Sequence, residues 1–387
     1  MKVLLYDPYF RGKYGNARYV ADLFKHEKLI GCKFYTCSPE KPSYLEDIEE
    51  KERFIPLAHN EDSALNKFGG LISKSGLSEK LSAIKEIITY SLRFKQMCEK
   101  ESIDIVHCNS IRAIITIGLG ARLAGCKIVL YIKSNLIGYV FCFFAFFLAH
   151  RILFQTKTNQ RKTPATLLYL YSSKFRILKN AIDISRIESI LSNDYQFSPT
   201  NEDDSNISKM IYVGSLVERK GLEFLIHALE RIKKDKIDFK LNIVGDPNID
   251  KGYTQKLKDL ISEKDLINNI VFVGHVDEPL SVLQEMDFLI LPSLDEGVPK
   301  SVLESICLGI PVIATNVGGT SEVLDNFKNG LIVEPGDVES LHAAIRKFSQ
   351  EKTKWKRSAA IQSELSRNEY SFHSHSSSLS LIYREMS

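Results

Sequence analysis

Short apolar runs punctuate the first half of the chain: "KVLLYD", "KFYTCS", "IDIVHCNS", "KIVLYI", "RILFQT" and "FRILKN", with longer mixed segments between them. This alternation predicts a parallel sheet whose strands are joined by crossover helices. One intervening segment, Lys80–Lys100, places Leu81, Ile84, Ile88, Leu92 and Lys95 at helical spacing. Lys80, Lys85, Arg93 and Lys100 fall elsewhere on it, so a surface helix with a basic face is expected, with membrane contact as the sharper reading.

From Ser189 to Ser208 the pattern lapses into Ser, Asn, Asp and Pro, the signature of a linker. The strand–helix rhythm then restarts: strand "KMIYVGS", helix from Gly221, strand "FKLNIVGD", helix from Tyr253, strand "NIVFVGHV", helix from Pro279. After "FLILPS" come a helix from Pro299 and the strands "PVIATN" and "GLIVEP". Helix crossovers enforce parallel pairing here too. The expected organisation is a domain over 1–188, a linker over 189–208, a second domain over 209–365, and a tail over 366–387. That tail reads either as frayed or as a segment returning to the first domain.

Length agrees with two domains, since 387 residues exceed the size at which one core stops growing. A hydrophobic fraction of 44% with 26% charged residues excludes a disordered chain. The opening "MKVLLYDPYF" suits a buried first strand better than a secretory signal. Seven scattered cysteines without a Cys-x-x-Cys pair read as reduced thiols of a cytosolic protein.

Charge is unevenly distributed. Residues 1–195 carry 29 Lys/Arg against 19 Asp/Glu, and the remainder 22 against 29, so the halves have opposite sign. Ile105–Ile182 holds eleven Lys/Arg and not one acid. Within it, Leu136–Ala149 ("LIGYVFCFFAFFLA") is uncharged over fourteen residues, short of the roughly 20 that span a bilayer. A buried helix and a helix lying in the lipid interface beside a basic surface both fit it.

Two stretches carry candidate chemistry. "VGSLVERKG" (Val213–Gly221) runs from a strand into a helix start, with Arg219 and Lys220 where a helix N-terminus favours an anion; a phosphate site and two solvated cations are the alternatives. "LPSLDEGVPKSVLESICLGIPVIAT" (Leu291–Thr315) places Glu296 on a loop and Glu304 inside a helix. Val302, Leu303, Ile306 and Cys307 are predicted inward, with Gly309 as the C-cap. Helix N-terminal amides near Val298–Val302 lie between the carboxylates and suit a diphosphate. One carboxylate then reaches its sugar side and the other accepts from ribose hydroxyls; two solvated acids are the plain alternative.

These motifs, with "IVFVGHV", "GIPVIATNVGG" and "NGLIVEPGD", resemble in order and spacing the C-terminal domain of retaining glycosyltransferases of family 4, over about Met210–Phe348. The resemblance implies an α/β chain of two Rossmann-like domains facing across a cleft, the GT-B fold. It implies that Glu304 clamps the ribose and Glu296 contacts the donor sugar. Lys220, with Arg219, is the diphosphate cation, and His275 and Val276 face the nucleobase. The backbone of Gly297, Val298, Pro299, Lys300, Ser301 and Val302 holds the β-phosphate and sugar. "RGKYGNARYV" resembles the family's glycine-rich loop, with Gly15 the key position.

Three departures stand out. Ser215 occupies a position where the family often has Arg, with Arg219 as a substitute. Ala181 replaces a glycine in "ILKNAID". Lys133 stands where the family has its active-site His; it suits stabilisation of developing negative charge better than base catalysis. In the family the attacking hydroxyl is understood to lose its proton with help from the donor's phosphate. His107 is the alternative histidine, read as a core or strand-end residue.

The function expected is therefore a metal-independent retaining glycosyltransferase with no cofactor. It moves a sugar from a nucleotide-sugar, a UDP-sugar ahead of a GDP-sugar, to a carbohydrate or lipid-linked acceptor in bacterial surface polysaccharide synthesis. Glu296 and Lys133 are the candidate catalytic residues. A cytoplasmic location with peripheral contact to an anionic membrane is expected, and no nucleic-acid partner. A UDP-GlcNAc epimerase of the same fold, a catalytically inactive nucleotide-sugar-binding module and a glycoside hydrolase using the carboxylate pair are the alternatives.

Overall fold

Strands β1 (Lys2–Tyr6), β2 (Lys33–Ser38), β3 (Phe54–Pro56), β4 (Ile105–Cys108), β5 (Lys127–Ile132), β6 (Arg151–Phe154) and β7 (Phe175–Ile177) form one parallel sheet. Its order is β3-β2-β1-β4-β5-β6-β7. Strands β8 (Ser208–Val213), β9 (Phe239–Val244), β10 (Ile270–Gly274), β11 (Phe288–Leu291), β12 (Val312–Thr315) and β13 (Gly330–Val333) form a second, in the order β10-β9-β8-β11-β12-β13. The computed structural model describes residues 1–6, 16–38, 53–58, 77–133, 136, 138–192, 207–327 and 329–386.

The chain divides into two units, Met1–Lys179 with His375–Ser387, and Asn180–Ser374. The division falls at Lys179/Asn180, ahead of the polar stretch 189–208, because helix Ile184–Ser192 packs into the second unit through the fully buried Ile187. Most of the expected linker, 193–206, lies outside the described residues.

Parallel strands covered on both faces need apolar residues at every position, which is why the runs read as continuous rather than alternating. In the first unit Leu4 and Tyr6 point into one apolar cluster and Val3 and Leu5 into the opposite one, the period of two of a strand. The second of these clusters is completed by Leu379, Ile382 and Tyr383 of the last helix. The end of the chain thus belongs to the first unit's core. The edge strand β3, only three residues long, carries no periodic signal in sequence.

Helix Leu77–Glu101 matches the predicted segment, but its apolar stripe faces out. Leu81, Ile84, Ile88 and Leu92 are exposed, while Ala83, Tyr90, Phe94 and Cys98 turn inward. Leu136–Ala149 resolves into helix Tyr139–Leu148, buried along Cys142, Ala145 and Phe146, half-buried at Phe143 and Leu148, and exposed at Tyr139, Val140, Phe141, Phe144 and Phe147. In the second unit, helix Lys251–Glu263 begins two residues ahead of Tyr253 because Asp250 accepts from the Tyr253 N–H as its cap.

Candidate active site

In the second sheet β9 and β10 lie on one side of β8, and β11, β12 and β13 on the other. The chain therefore leaves β8 and β11 in opposite directions, and the crevice at their C-terminal ends is where open parallel sheets hold ligands. Gly214–Lys220 follow β8, and Pro292–Pro299 follow β11. Of the two sequence stretches singled out for their chemistry, Val213–Gly221 leaves β8 at this point and Leu291–Thr315 begins at it.

The two loops are joined through backbone before any side chain meets. The Leu294 N–H donates to the Arg219 carbonyl at 2.8 Å. Gly221, at φ 68°, sits so close that a Cβ there would lie 2.1 Å from the Pro292 carbonyl oxygen. This contact brings Lys220 against Glu296. Lys220 Nζ donates to Glu296 Oε1, and Ser293 Oγ donates to the same oxygen at 2.8 Å. Arg219 stands 4.0 Å from Oε2 and donates to the Asp295 carbonyl at 3.3 Å. The Lys220 and Glu296 side chains are only 12% and 9% exposed, so the pair is screened from water, whereas Arg219 is 55% exposed.

The Glu296–Gly297 backbone is pinned from the far side by Gly318. At φ 57° its missing Cβ would fall 2.1 Å from the Glu296 oxygen and 2.2 Å from that of Gly297. The Gly319 N–H then donates to the Gly297 carbonyl at 2.8 Å. Pro299 caps helix Lys300–Leu308 without a side-chain bond to its amides. The positive end of that helix is thus presented beside Glu296, a setting that favours an anion. The helix is anchored as its pattern predicts: Val302, Leu303, Ile306 and Cys307 are fully buried, and Gly309 ends it at φ 79°.

Glu304 is half-buried one turn inside the helix. Its charge reaches Arg186, whose guanidinium is lowered by burial but raised overall by Glu278, then by Glu304. Arg186 holds Glu278 in a fork at 2.6 and 2.7 Å. Ser215 is half-buried at the end of β8, where its carbonyl accepts from the Tyr212 hydroxyl at 2.8 Å and the Val217 N–H at 3.2 Å. His275 is exposed, 3.5 Å from Asp277 Oδ1, and Val276 packs at the core's edge; both follow β10, two strands from β8.

The structure therefore brings Arg219, Lys220, Glu296, the turn Gly297–Pro299 and the first helical residues Lys300–Val302 together, with Glu304 further along the helix. Gly15 lies outside the described residues. Lys133 belongs to the first unit, where its ammonium lies 3.5 Å from the centroid of the Tyr19 ring and 4.9 Å from that of Tyr131. His107 is a core residue: its Nδ1 meets the Tyr383 hydroxyl at 2.7 Å, and burial, then Lys133 and His375, push it down to about 3. His375 donates from Nδ1 to the Lys179 carbonyl at 2.7 Å, which leaves Nε2 to accept from the Tyr19 hydroxyl at 3.0 Å.

Three residues around the site were not singled out from sequence: Ser293, Gly318 and Arg186; Asn180, the asparagine of the family-like stretch "NAID", donates its amide to the Val298 carbonyl at 3.4 Å. Ser293 had a local signal, three positions before Glu296 at the end of an apolar run. The others act through contacts between distant segments.

Residues 195–364 match the family model described as Glycosyl transferases group 1. Among curated proteins, an uncharacterized glycosyltransferase of Methanocaldococcus jannaschii is 31% identical over 50% of this chain and 46% of its own length. The capsular polysaccharide biosynthesis glycosyltransferase CapM of Staphylococcus aureus is 30% identical over 35% of each. The chain thus spans less than half the length of these relatives. A longer match, 23% identical over 71% of this chain and 74% of its own, is to the UDP-Gal:alpha-D-GlcNAc-diphosphoundecaprenol alpha-1,3-galactosyltransferase of Escherichia coli.

Among solved structures, a glycosyltransferase from Rickettsia africae superimposes with TM-score 0.78 at 19% identity, over 100% of this chain and 98% of its own. HepE of Anabaena in complex with UDP gives 0.72 at 16% identity, again over 100% and 98%. These likenesses show the GT-B fold over the whole chain.

Proposed function

We propose that this chain, whose residues 195–364 are a domain of the glycosyl transferases group 1 family, transfers a hexosyl group from a nucleotide-sugar to an acceptor hydroxyl with retention of configuration. The observation that carries the reading is the meeting of Lys220, Ser293 and Glu296 beside the open start of helix Lys300–Leu308. The site offers cationic and amide donors for a diphosphate next to a fixed carboxylate for a sugar.

The bond that breaks joins the anomeric carbon to the β-phosphate oxygen, and the acceptor oxygen forms the new one. The acceptor's proton passes to the departing diphosphate. Negative charge growing on that diphosphate is met by Lys220, Arg219 and the backbone N–H groups of Gly297, Val298, Lys300, Ser301 and Val302, donors already in place before reaction. Glu296 accepts from hydroxyls of the donor sugar, Glu304 from the ribose, and His275 and Val276 border the base. Lys133 adds positive charge as the transition state forms. No step in this account needs a divalent ion, so turnover is expected to persist in EDTA.

A UDP-sugar is the preferred donor and a lipid-linked sugar the preferred acceptor, in surface polysaccharide synthesis on the cytoplasmic side of the membrane. The Escherichia coli relative, named for UDP-Gal and a diphosphoundecaprenol-linked GlcNAc, supports this choice. A thermal-shift panel of UDP-, GDP- and ADP-sugars in EDTA tests the reading. Ligand at 100 times its Kd stabilises by about 2.7 kcal/mol, an easily read rise. The expected response is to UDP-sugars; no rise with any of the three overturns the proposal.

A further inference from the structure

Three segments of the second unit meet at Arg186. It stands on helix Ile184–Ser192, which is seated by the fully buried Ile187, with Ile184 and Ile190 packed against the same core. That helix packs on two others, Pro279–Leu283 and Lys300–Leu308. The first follows the loop that carries His275 and Val276, and the second carries Glu304. Arg186 therefore lies where the parts that the donor reading sets at the base and at the ribose come together.

Its guanidinium is aimed at the base-side loop. Nη2 donates to both carboxylate oxygens of Glu278, at 2.6 and 2.7 Å, and Nε donates to Oε2 at 3.2 Å. Glu278 precedes Pro279 at a helix start, where a carboxylate is welcome, yet it makes no side-chain bond to the helix amides. Its carboxylate is turned to Arg186 instead, while its carbonyl accepts from Ser281 Oγ at 2.8 Å. The loop from His275 to Glu278 is thus held at one end by the pairing of β10 with β9 and at the other by the guanidinium. The ribose-side helix feels the same cation. Burial lowers the guanidinium, but Glu278, then Glu304, then Asp183 raise it overall. A planar fork fixes the angle of a carboxylate partner as well as its distance, which the point charge of a lysine does not.

We propose that Arg186 is a positioning residue for the nucleoside half of the donor. Through Glu278 it fixes where the His275–Val276 loop stands, and its charge attracts the Glu304 carboxylate and limits where that side chain can go. The inference rests on the donor reading, in which His275 and Val276 border the base and Glu304 accepts from the ribose. Arg186 has no contact with the reacting atoms in this role. Its effect is that the loop and the ribose acceptor are ordered before the nucleotide arrives rather than on its arrival, which favours binding.

Isothermal titration of the full chain with UDP in EDTA tests the proposal. Arg186→Met is expected to raise the Kd of UDP about 10-fold with the stoichiometry unchanged. A role in folding alone would do the reverse, lowering the fraction of chains that bind and leaving the Kd of the rest as it was. Glu278 is 46% exposed, so removing its partner should lower the melting temperature little. Glu278→Gln, which weakens the fork from the other side, should raise the Kd several-fold. Arg186→Lys, which keeps the charge without the fork, should recover only part of the affinity. A wild-type Kd in Arg186→Met, a fall in stoichiometry alone, or full recovery in Arg186→Lys overturns the inference and leaves the donor reading standing. A wild-type chain that takes up no UDP overturns both.

Discussion

Lys220 and Glu296, 76 residues apart, close into one buried ion pair at the point where the second sheet reverses direction. The carboxylate that resembles a sugar contact is thus engaged with the cation that resembles a phosphate contact. Breaking a shielded pair from one side strands a charge, typically at a cost of about 3–5 kcal/mol. Lys220→Met is therefore expected to lower the second unit's melting temperature more than Glu296→Gln, which keeps an acceptor for Lys220. The double variant Lys220→Met/Glu296→Met should recover most of the loss. Additive losses in the cycle closed by the Glu296→Met single variant would show that the two side chains are not energetically coupled.

Glu296 and Glu304 should separate kinetically. Hydrogen bonds from ribose hydroxyls to a shielded carboxylate are worth about 1.5–3 kcal/mol, and they form equally in ground and transition states. Glu304→Ala is expected to raise KM for the donor by roughly 10- to 100-fold with kcat nearly unchanged. Glu296→Ala is expected to lower kcat by a comparable factor with a smaller change in KM. Steady-state kinetics decides; the same pattern in both variants removes the division of labour.

Gly318 sets where Glu296 stands. Alanine there meets two carbonyl oxygens near 2.1 Å in a left-handed conformation, so the Glu296–Gly297 backbone has to move. A cost of at least about 2 kcal/mol is expected, with kcat/KM falling by more than that of any neighbouring surface change. Gly125→Ala is the control: its φ is 80°, but nothing lies within 4 Å of the added carbon. It should cost only about 1 kcal/mol and leave kinetics intact. Retention of wild-type kcat/KM in Gly318→Ala would mean the loop is not held as described.

Much of this arrangement was legible from sequence because its causes are local. Doubly covered parallel strands write continuous apolar runs, and Gly-Val-Pro followed by a helical pattern puts Glu296 on a loop and Glu304 in a helix. The periodicity of Leu81, Ile84, Ile88 and Leu92 announced a helix face, but a period does not say which face is covered. Arg186 and Gly318 matter through segments far away in sequence, and nothing near them encodes that. Lys133 could be aligned with a family position, yet its place over Tyr19, 3.5 Å from the ring centroid, is a fact of packing.

The histidines of the first unit predict its response to acid. His107 and His375 are fully buried and held neutral, pushed down to about 3 and about 4 from the ordinary value near 6.5, first by burial and then by Lys133 among other neighbours. Because the folded state resists protonation, the unfolded chain binds more protons below pH 6.5. Stability is then complete above pH 6.5 and is lost as pH falls toward the folded values. The slope reaches up to about 1.4 kcal/mol per pH unit for each histidine. The single tryptophan, Trp355, stacks on Phe348 in the second unit, so its fluorescence follows that unit alone. Between pH 7.5 and 5 the melting temperature by far-ultraviolet circular dichroism should fall before the Trp355 transition does, and His107→Gln or His375→Asn should each flatten the decline by about a third, the remainder coming from His150, which burial and then Arg122 push down to about 4. A melting temperature unchanged across that range would mean that neither histidine is held neutral by the fold.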